Sequence, residues 1–350
     1  MLQLVRKYSI ILIMSKEVVL NLPNPELMTD ADRAVYEEFA ARPLDQFALA
    51  MPGTVQANST IPEFATKLVD LRGKNEGDSS RAIVVPLPFG NPYSEAMDIR
   101  VRAIQAFMPE DTRILVFPNN TTKETYYSFD KNKQNDGLEE LSHHVLRACK
   151  VLRVSEVAIA GYSQGASLGP QLMMDAESYD IGVTAAYLGD PANVVQRTPG
   201  KLKREFIGTG MGNLNRAIND SGIQALSEAQ HSRGGFDTLR QLATIPSVAK
   251  SGSVFENVAL HEAMTNGNFA FEIDAIINNG FDPRQITIAR MADSKVCRPE
   301  LEADIATIGQ EGSLQIVKGY GHEGGDNVID NALRIRAAFE RAGFWQQRVA

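Results

Sequence analysis

Gly161-Tyr162-Ser163-Gln164-Gly165 sets one serine between two glycines, at the end of an apolar run and the start of a stretch of small residues. A serine hydroxyl is a poor nucleophile until a base removes its proton. The usual base is a histidine oriented by a carboxylate. The spacing suits that chemistry. A serine on a sharp turn between strand and helix stands clear of the sheet, and bulky residues two positions to either side would strike the neighbouring backbone. The turn also brings the hydroxyl to a helix N-terminus, where N–H groups favour developing negative charge.

In a serine–acid–histidine arrangement of this kind the acid and then the histidine follow the serine in the chain. Of the five histidines, His143 and His144 precede Ser163, whereas His231, His261 and His322 follow it. His322 lies in Lys318-Gly-Tyr-Gly-His322-Glu-Gly-Gly325, a glycine-flanked loop after an apolar run. It is the expected base. His231 and His261 have no apolar run before them and read as surface or insertion residues. Two acids end apolar runs: Asp190 in Leu188-Gly-Asp190-Pro191, and Asp293 in Met291-Ala-Asp293-Ser-Lys-Val-Cys297. Asp293 is the expected acid, because its strand directly precedes the one leading to His322. Asp190 is the alternative, and otherwise a turn or cap residue beside the site. Stabilising an oxyanion takes two donors. One is expected from the amide of Gln164. The other is expected from Phe89 or Gly90 in the turn after the first core strand, since Pro86, Pro88 and Pro92 have no N–H.

These residues need a scaffold. Short apolar runs at Arg81–Pro88, Asp111–Pro118, Ser155–Gly161, Gly182–Gly189, Gln285–Met291 and Ser313–Lys318 read as buried strands. Helical spacing separates several of them, over 94–108, 137–151, 165–175 and 327–342, with a short helix from Pro299. Strands apolar on both faces alternating with helices predict an α/β fold: a mainly parallel central sheet with helices on both faces. The alternation lapses over 191–284. The expected organisation is an N-terminal extension (1–75) packed on the core, a core of 76–190 and 285–350, and an inserted, mostly helical cap (191–284).

The segment Gly161-Tyr162-Ser163-Gln164-Gly165-Ala166 resembles the nucleophile elbow of the α/β-hydrolase superfamily. Its Tyr-Ser-Gln-Gly-Ala form is similar to that of cutinases, phage lysin B mycolyl esterases and PE-PPE serine hydrolases, and the segments around Asp190 and Asp293 are also similar to cutinase-like pieces. The resemblance implies an esterase or lipase acting through an acyl-enzyme, with Ser163, Asp293 and His322 carried over as the triad. Rival readings are a thioesterase, amidase or acyltransferase on the same fold, or a catalytically silent binding protein.

Composition narrows the field further. The chain has 350 residues, 43% hydrophobic and 22% charged, with a formal net charge of −8. An acidic chain without a basic run is a poor nucleic-acid binder. Cys149 and Cys297 are too few for a disulfide framework or a cysteine zinc site and are expected as two buried thiols. No metal or cofactor is expected. Gly208-Thr-Gly-Met-Gly212 lacks the spacing of a dinucleotide loop. Adjacent His143 and His144 point to different helix faces, and Tyr126, Tyr127 and Phe129 read as packing residues. The apolar run Ile10–Met14 is short for a signal peptide, which needs about 7–15 apolar residues and a cleavage site. No segment supplies the roughly 20 apolar residues of a membrane span. The expectation is a soluble, cytoplasmic protein acting on a small-molecule or lipid acyl ester, with Met14 an alternative start.

Overall fold

The apolar runs form strands because β-branched and other apolar residues at successive positions can face two helical layers at once. In a computed structural model that describes residues 18–20, 28–48, 50, 53–56, 65–73, 80–88, 95–118, 137–198, 200–201, 205, 222–232, 264–301, 314–322 and 327–345, nine strands lie in one sheet. They are β1 (Val18–Leu20), β2 (Gly53–Gln56), β3 (Ala65–Leu71), β4 (Arg81–Pro86), β5 (Ile114–Phe117), β6 (Glu156–Tyr162), β7 (Gly182–Gly189), β8 (Ile286–Met291) and β9 (Leu314–Val317). Their order is β1-β9-β8-β7-β6-β4-β5-β3-β2. All pairings are parallel except β2 with β3 and β3 with β5.

The helices are α1 (Asp30–Ala40), α2 (Glu95–Ala106), α3 (Gly137–Val151), α4 (Gln164–Asp175), α5 (Gln224–Ser232), α6 (Phe269–Asn278) and α7 (Val328–Arg341). Alternation along the strands divides the core in two. Ile83, Ala158, Ala160, Tyr187 and Met291 face one layer, which includes α1, α2, α5 and α7. Val84, Val157, Ile159, Leu188 and Ile288 face the other, with α3, α4 and α6.

The six core strands read from sequence are β4 to β9. The first three strands were not foreseen. Residues 1–75 were expected only to pack on the core, yet their described parts extend the sheet at both edges: β1 pairs with β9, and β3 with β5. These strands carry no long apolar run, as Ala65-Thr-Lys-Leu-Val-Asp-Leu71 illustrates. The same region holds α1, whose N-terminus is fixed by a reciprocal capping box between Thr29 and Asp32. Asp32 also meets Arg336 of α7 at 2.5 Å, and the Arg336 bond holds its carboxyl below the usual range.

β4 is the topological switch. From it the chain runs to β5 on one side and then crosses back to β6 on the other, and in such sheets ligands bind at the carboxyl ends flanking that point. β6 ends there in Tyr162, one residue before Ser163. Among the described residues no helix is long and apolar enough to cross a membrane.

Candidate active site

The turn between β6 and α4 is strained in the way the motif requires. Ser163 has φ 55° and ψ −116°, a conformation L residues rarely hold without support. The support is close packing of backbone. A Cβ on Gly161 would fall inside the carbonyl of Gly165, and one on Gly165 inside the carbonyl of Pro86. The amide of Ser163 donates to Gly189 O at 2.8 Å, and its carbonyl accepts from the amide of Ser167 at 3.0 Å. Ser163 occupies the N-cap of α4, but its hydroxyl makes no capping bond there; it meets the imidazole of His322 instead.

His322 Nε2 lies 2.9 Å from Ser163 Oγ, and His322 Nδ1 lies 2.5 Å from Asp190 Oδ2. All three residues are buried. The proton positions follow from chemistry. A carboxylate can only accept, so Nδ1 carries the proton, and the neutral ring then offers Nε2 as acceptor to the serine hydroxyl. The tautomer needed for a general base is thus the one the geometry favours.

The structure pairs His322 with the alternative carboxylate and not with the expected one. Asp293, the expected partner of His322, is exposed, and its amide donates to Tyr320 O at 3.1 Å. The alternative, Asp190, meets the imidazole. Strand adjacency suggested Asp293, but the imidazole must reach Ser163 at the end of β6. To do so it crosses the end of β7, which bears Asp190, and leaves the β8 turn behind. Asp190 is wholly buried and held from three sides. Oδ1 accepts from Met291 N at 2.9 Å, and Oδ2 accepts from Ser294 Oγ at 2.6 Å as well as from His322. Such charge-assisted bonds replace the water that burial removes.

Several supporting residues had gone unnoticed in the sequence. The Tyr162 hydroxyl donates to the carbonyl of His322, and the two rings lie 5.6 Å apart. Ser167 Oγ accepts from the amides of Ala192 (2.9 Å) and Asn193 (3.4 Å) and donates to Ser163 O at 3.2 Å, tying the turn after Asp190 to the elbow. Arg197, buried, donates to Ala192 O at 2.5 Å and to Val296 O at 2.6 Å, with Glu205 as counter-ion at 2.8 Å. A serine directly after a candidate acid, and a tyrosine inside the motif, were the available signals. Tyr187 of β7, close enough to Asp190 to feel its charge, is fully buried. Burial pushes its phenol well above the ordinary range, Arg334 opposes this, and Asp330 and Asp190 add to it, so it stays neutral.

Comparison with solved structures places the fold. A serine hydrolase from Cycloclasticus zankles aligns at TM-score 0.50 and 12% identity over 85% of this chain and 99% of its own. The meta-cleavage product hydrolase CumD of Pseudomonas fluorescens IP01 aligns at TM-score 0.51 and 15% identity, covering 79% and 95%. A monoglyceride lipase of Saccharomyces cerevisiae aligns at 0.51 and 10%, covering 86% and 98%. The fold is that of the α/β-hydrolases. No family model and no curated protein matches the chain in sequence.

Within this α/β-hydrolase fold Gln164 is buried at the first position of α4, beside Ser163. Phe89 and Gly90 lie outside the described residues, as do His261, Tyr126, Tyr127, Phe129 and the 208–212 glycine cluster. His231 falls in α5 with its side chain outside the described set. His143 and His144 lie on α3, where His143 Nδ1 meets Tyr179 Oη at 2.9 Å. Cys149 and Cys297 are free and buried, and burial pushes the Cys149 thiol up to about 12, which keeps it an inert thiol. Among the described residues no cluster of His, Cys, Asp and Glu is arranged to hold a metal. The described ends of the 191–284 insertion are pinned together beside the site. Arg197 N donates to Thr265 O at 2.9 Å, and Phe269 N donates to Asn193 O at 3.1 Å. Its helix α5 packs against α2, in the layer opposite α6.

Proposed function

We propose that this chain is a serine hydrolase that cleaves carboxylic esters through an acyl-enzyme on Ser163. The observation that carries the reading is the unbroken relay from Ser163 Oγ through both nitrogens of His322 to Asp190. In this reading Ser163 Oγ attacks the ester carbonyl while His322 Nε2 takes its proton. Asp190 steadies the imidazolium that forms. The proton passes to the departing alcohol, and the acyl group stays on Ser163. Water then attacks the acyl carbon with His322 again as base, and the acid leaves.

The oxyanion is assigned to the amide of Gln164 and to a second donor after β4. Leu87 N–H is committed to Phe117 O at 3.1 Å, and Pro88 has no N–H. Phe89 or Gly90 is therefore the first residue that could supply it. One such donor is worth about 2.7–4 kcal/mol of transition-state stabilisation. Esterase or lipase chemistry accords with the neighbouring folds, and the neck of the 191–284 insertion beside Asp190 supports reading that insertion as the cap of the site.

The test is labelling with a fluorophosphonate probe, followed by mass-spectrometric mapping. Label on the peptide bearing Ser163, abolished in Ser163→Ala, is the expected result. A panel of p-nitrophenyl esters, thioesters and anilides then fixes the leaving group. Folded protein that takes no label and turns over none of the panel would refute the reading.

A further inference from the structure

We infer that Ser294 is a positioning residue whose hydroxyl sets the basicity of His322 by sharing one carboxylate oxygen with it. The inference rests on the hydrolase reading for its meaning in catalysis, but its physical content stands on the resting protein alone.

Ser294 Oγ lies 2.6 Å from Asp190 Oδ2, the same oxygen that meets His322 Nδ1 at 2.5 Å. The direction of the bond is fixed. Ser294 Oγ accepts from two backbone amides, Val296 at 3.2 Å and Cys297 at 3.1 Å. With both lone pairs so used, its single proton points to the carboxylate. Ser294 is buried, and its own amide donates to Met291 O at 3.0 Å, which closes the turn. Arg197 then clamps that turn to the one after Asp190 through Val296 O and Ala192 O. The serine cannot swing away without breaking several bonds.

The electrostatic consequence has a sign. The positive end of the Ser294 O–H dipole draws negative charge on Oδ2 away from His322. Asp190 therefore stabilises the imidazolium less than it would if His322 bonded that oxygen alone. His322 also touches the Ser163 hydroxyl and the Tyr162 ring and hydroxyl, neither charged at neutral pH, and Tyr187 near Asp190 is neutral as well. Removing the serine hydroxyl raises the pH at which His322 titrates. Mere loosening of Asp190 would lower it, because the imidazolium would lose its counter-ion.

The experiment follows the His322 ring nitrogens by NMR across pH in the full chain, with the resonance assigned by its loss in His322→Gln. Ser294→Ala is expected to raise the midpoint by about one unit. Ser294→Cys, which refills the space with a weaker donor, is expected to raise it by less, and Ser294→Thr, which keeps the hydroxyl, to leave it near the wild-type value. An unchanged or lowered midpoint in both Ala and Cys variants overturns the inference, as does an equal rise in Thr. If Ser294→Ala does not fold, the Cys and Thr pair decides the matter. This readout needs no turnover. Failure of the hydrolase reading shows instead as absence of probe labelling at Ser163 in the wild-type protein. Where turnover is present, the acid limb of kcat/KM moves with the NMR midpoint, and KM at neutral pH changes less than kcat.

Discussion

The amide of Ser163 donates to the carbonyl of Gly189 at 2.8 Å, so the turn that bears Ser163 is bonded to the residue just before Asp190. Both turns hold a non-glycine residue at positive φ, Ser163 at 55° and Asp190 at 47°. Two strained corners on adjacent strands brace one another, and the histidine enters between them from a third loop.

The two candidate acids separate cleanly. Asp190→Asn is expected to cut kcat by about ten-thousand-fold, because the amide no longer holds the productive tautomer. Asp293→Asn, at an exposed turn, is expected to change kcat/KM by less than about threefold, a surface effect. Steady-state hydrolysis of a chromogenic ester measures both. The reverse ranking would return the role to Asp293.

Tyr162→Phe keeps the ring against His322 and removes the bond to its carbonyl. A bond of this type is worth about 1 kcal/mol, so kcat is expected to fall roughly fivefold while KM holds. An unchanged kcat would show that the His322 loop keeps its place without this tether.

Gly165→Ala forces a methyl group into the carbonyl of Pro86, a backbone group that has no flexible end to swing aside. The expected cost is about 3 kcal/mol or more of stability. Urea unfolding reads it directly. A variant as stable as wild type would mean that the elbow is looser than its contacts imply.

His144 supplies a pH prediction. It is buried on α3, and burial first, then the charges of Arg147 and His143, lower its pKa from 6.5 to about 3. Glu140, 3.9 Å away, does not reverse this. The unfolded chain therefore binds a proton between pH 6.5 and 3 that the folded chain refuses. Stability is full above pH 6.5 and falls as pH drops toward 3, by on the order of a few kcal/mol. Denaturant unfolding at pH 7, 5.5 and 4.5 should show a shallower decline in His144→Leu than in wild type. Parallel declines would assign acid sensitivity to other groups, such as Asp32 with its Arg336 bond.

The candidate site was legible where chemistry and local pattern coincide. Ser163 announced itself through Gly161 and Gly165, because only glycine fits those approaches, and His322 through its glycine-flanked loop. The carboxylate partner of His322 was less legible, because sequence order ranks strands but does not say which strand end lies beneath an imidazole reaching toward β6. Asp190 and Asp293 offer the same residue type after the same kind of strand, and only three-dimensional crossing distinguishes them. In the fold, β4 to β9 were readable from apolar runs that face two layers. β1 to β3 were not, since strands near a sheet's edge can be short and polar without penalty. Ser294 meets Asp190 across 104 residues of chain, and Arg197 meets Val296 across 99, relationships no local pattern encodes.

The long excursion between β7 and β8 starts and finishes in the layer of α3, α4 and α6, yet within it Ile223 and the α5 residues Ala225, Leu226 and Ala229 belong to the opposite layer. It also reaches the N-terminal region, where Glu228 accepts from Leu44 N at 2.8 Å. Such a segment laces the two halves of the molecule together. It could not be trimmed or exchanged as a detachable module, for α2 and the turn at Leu44 would have to be redesigned along with it.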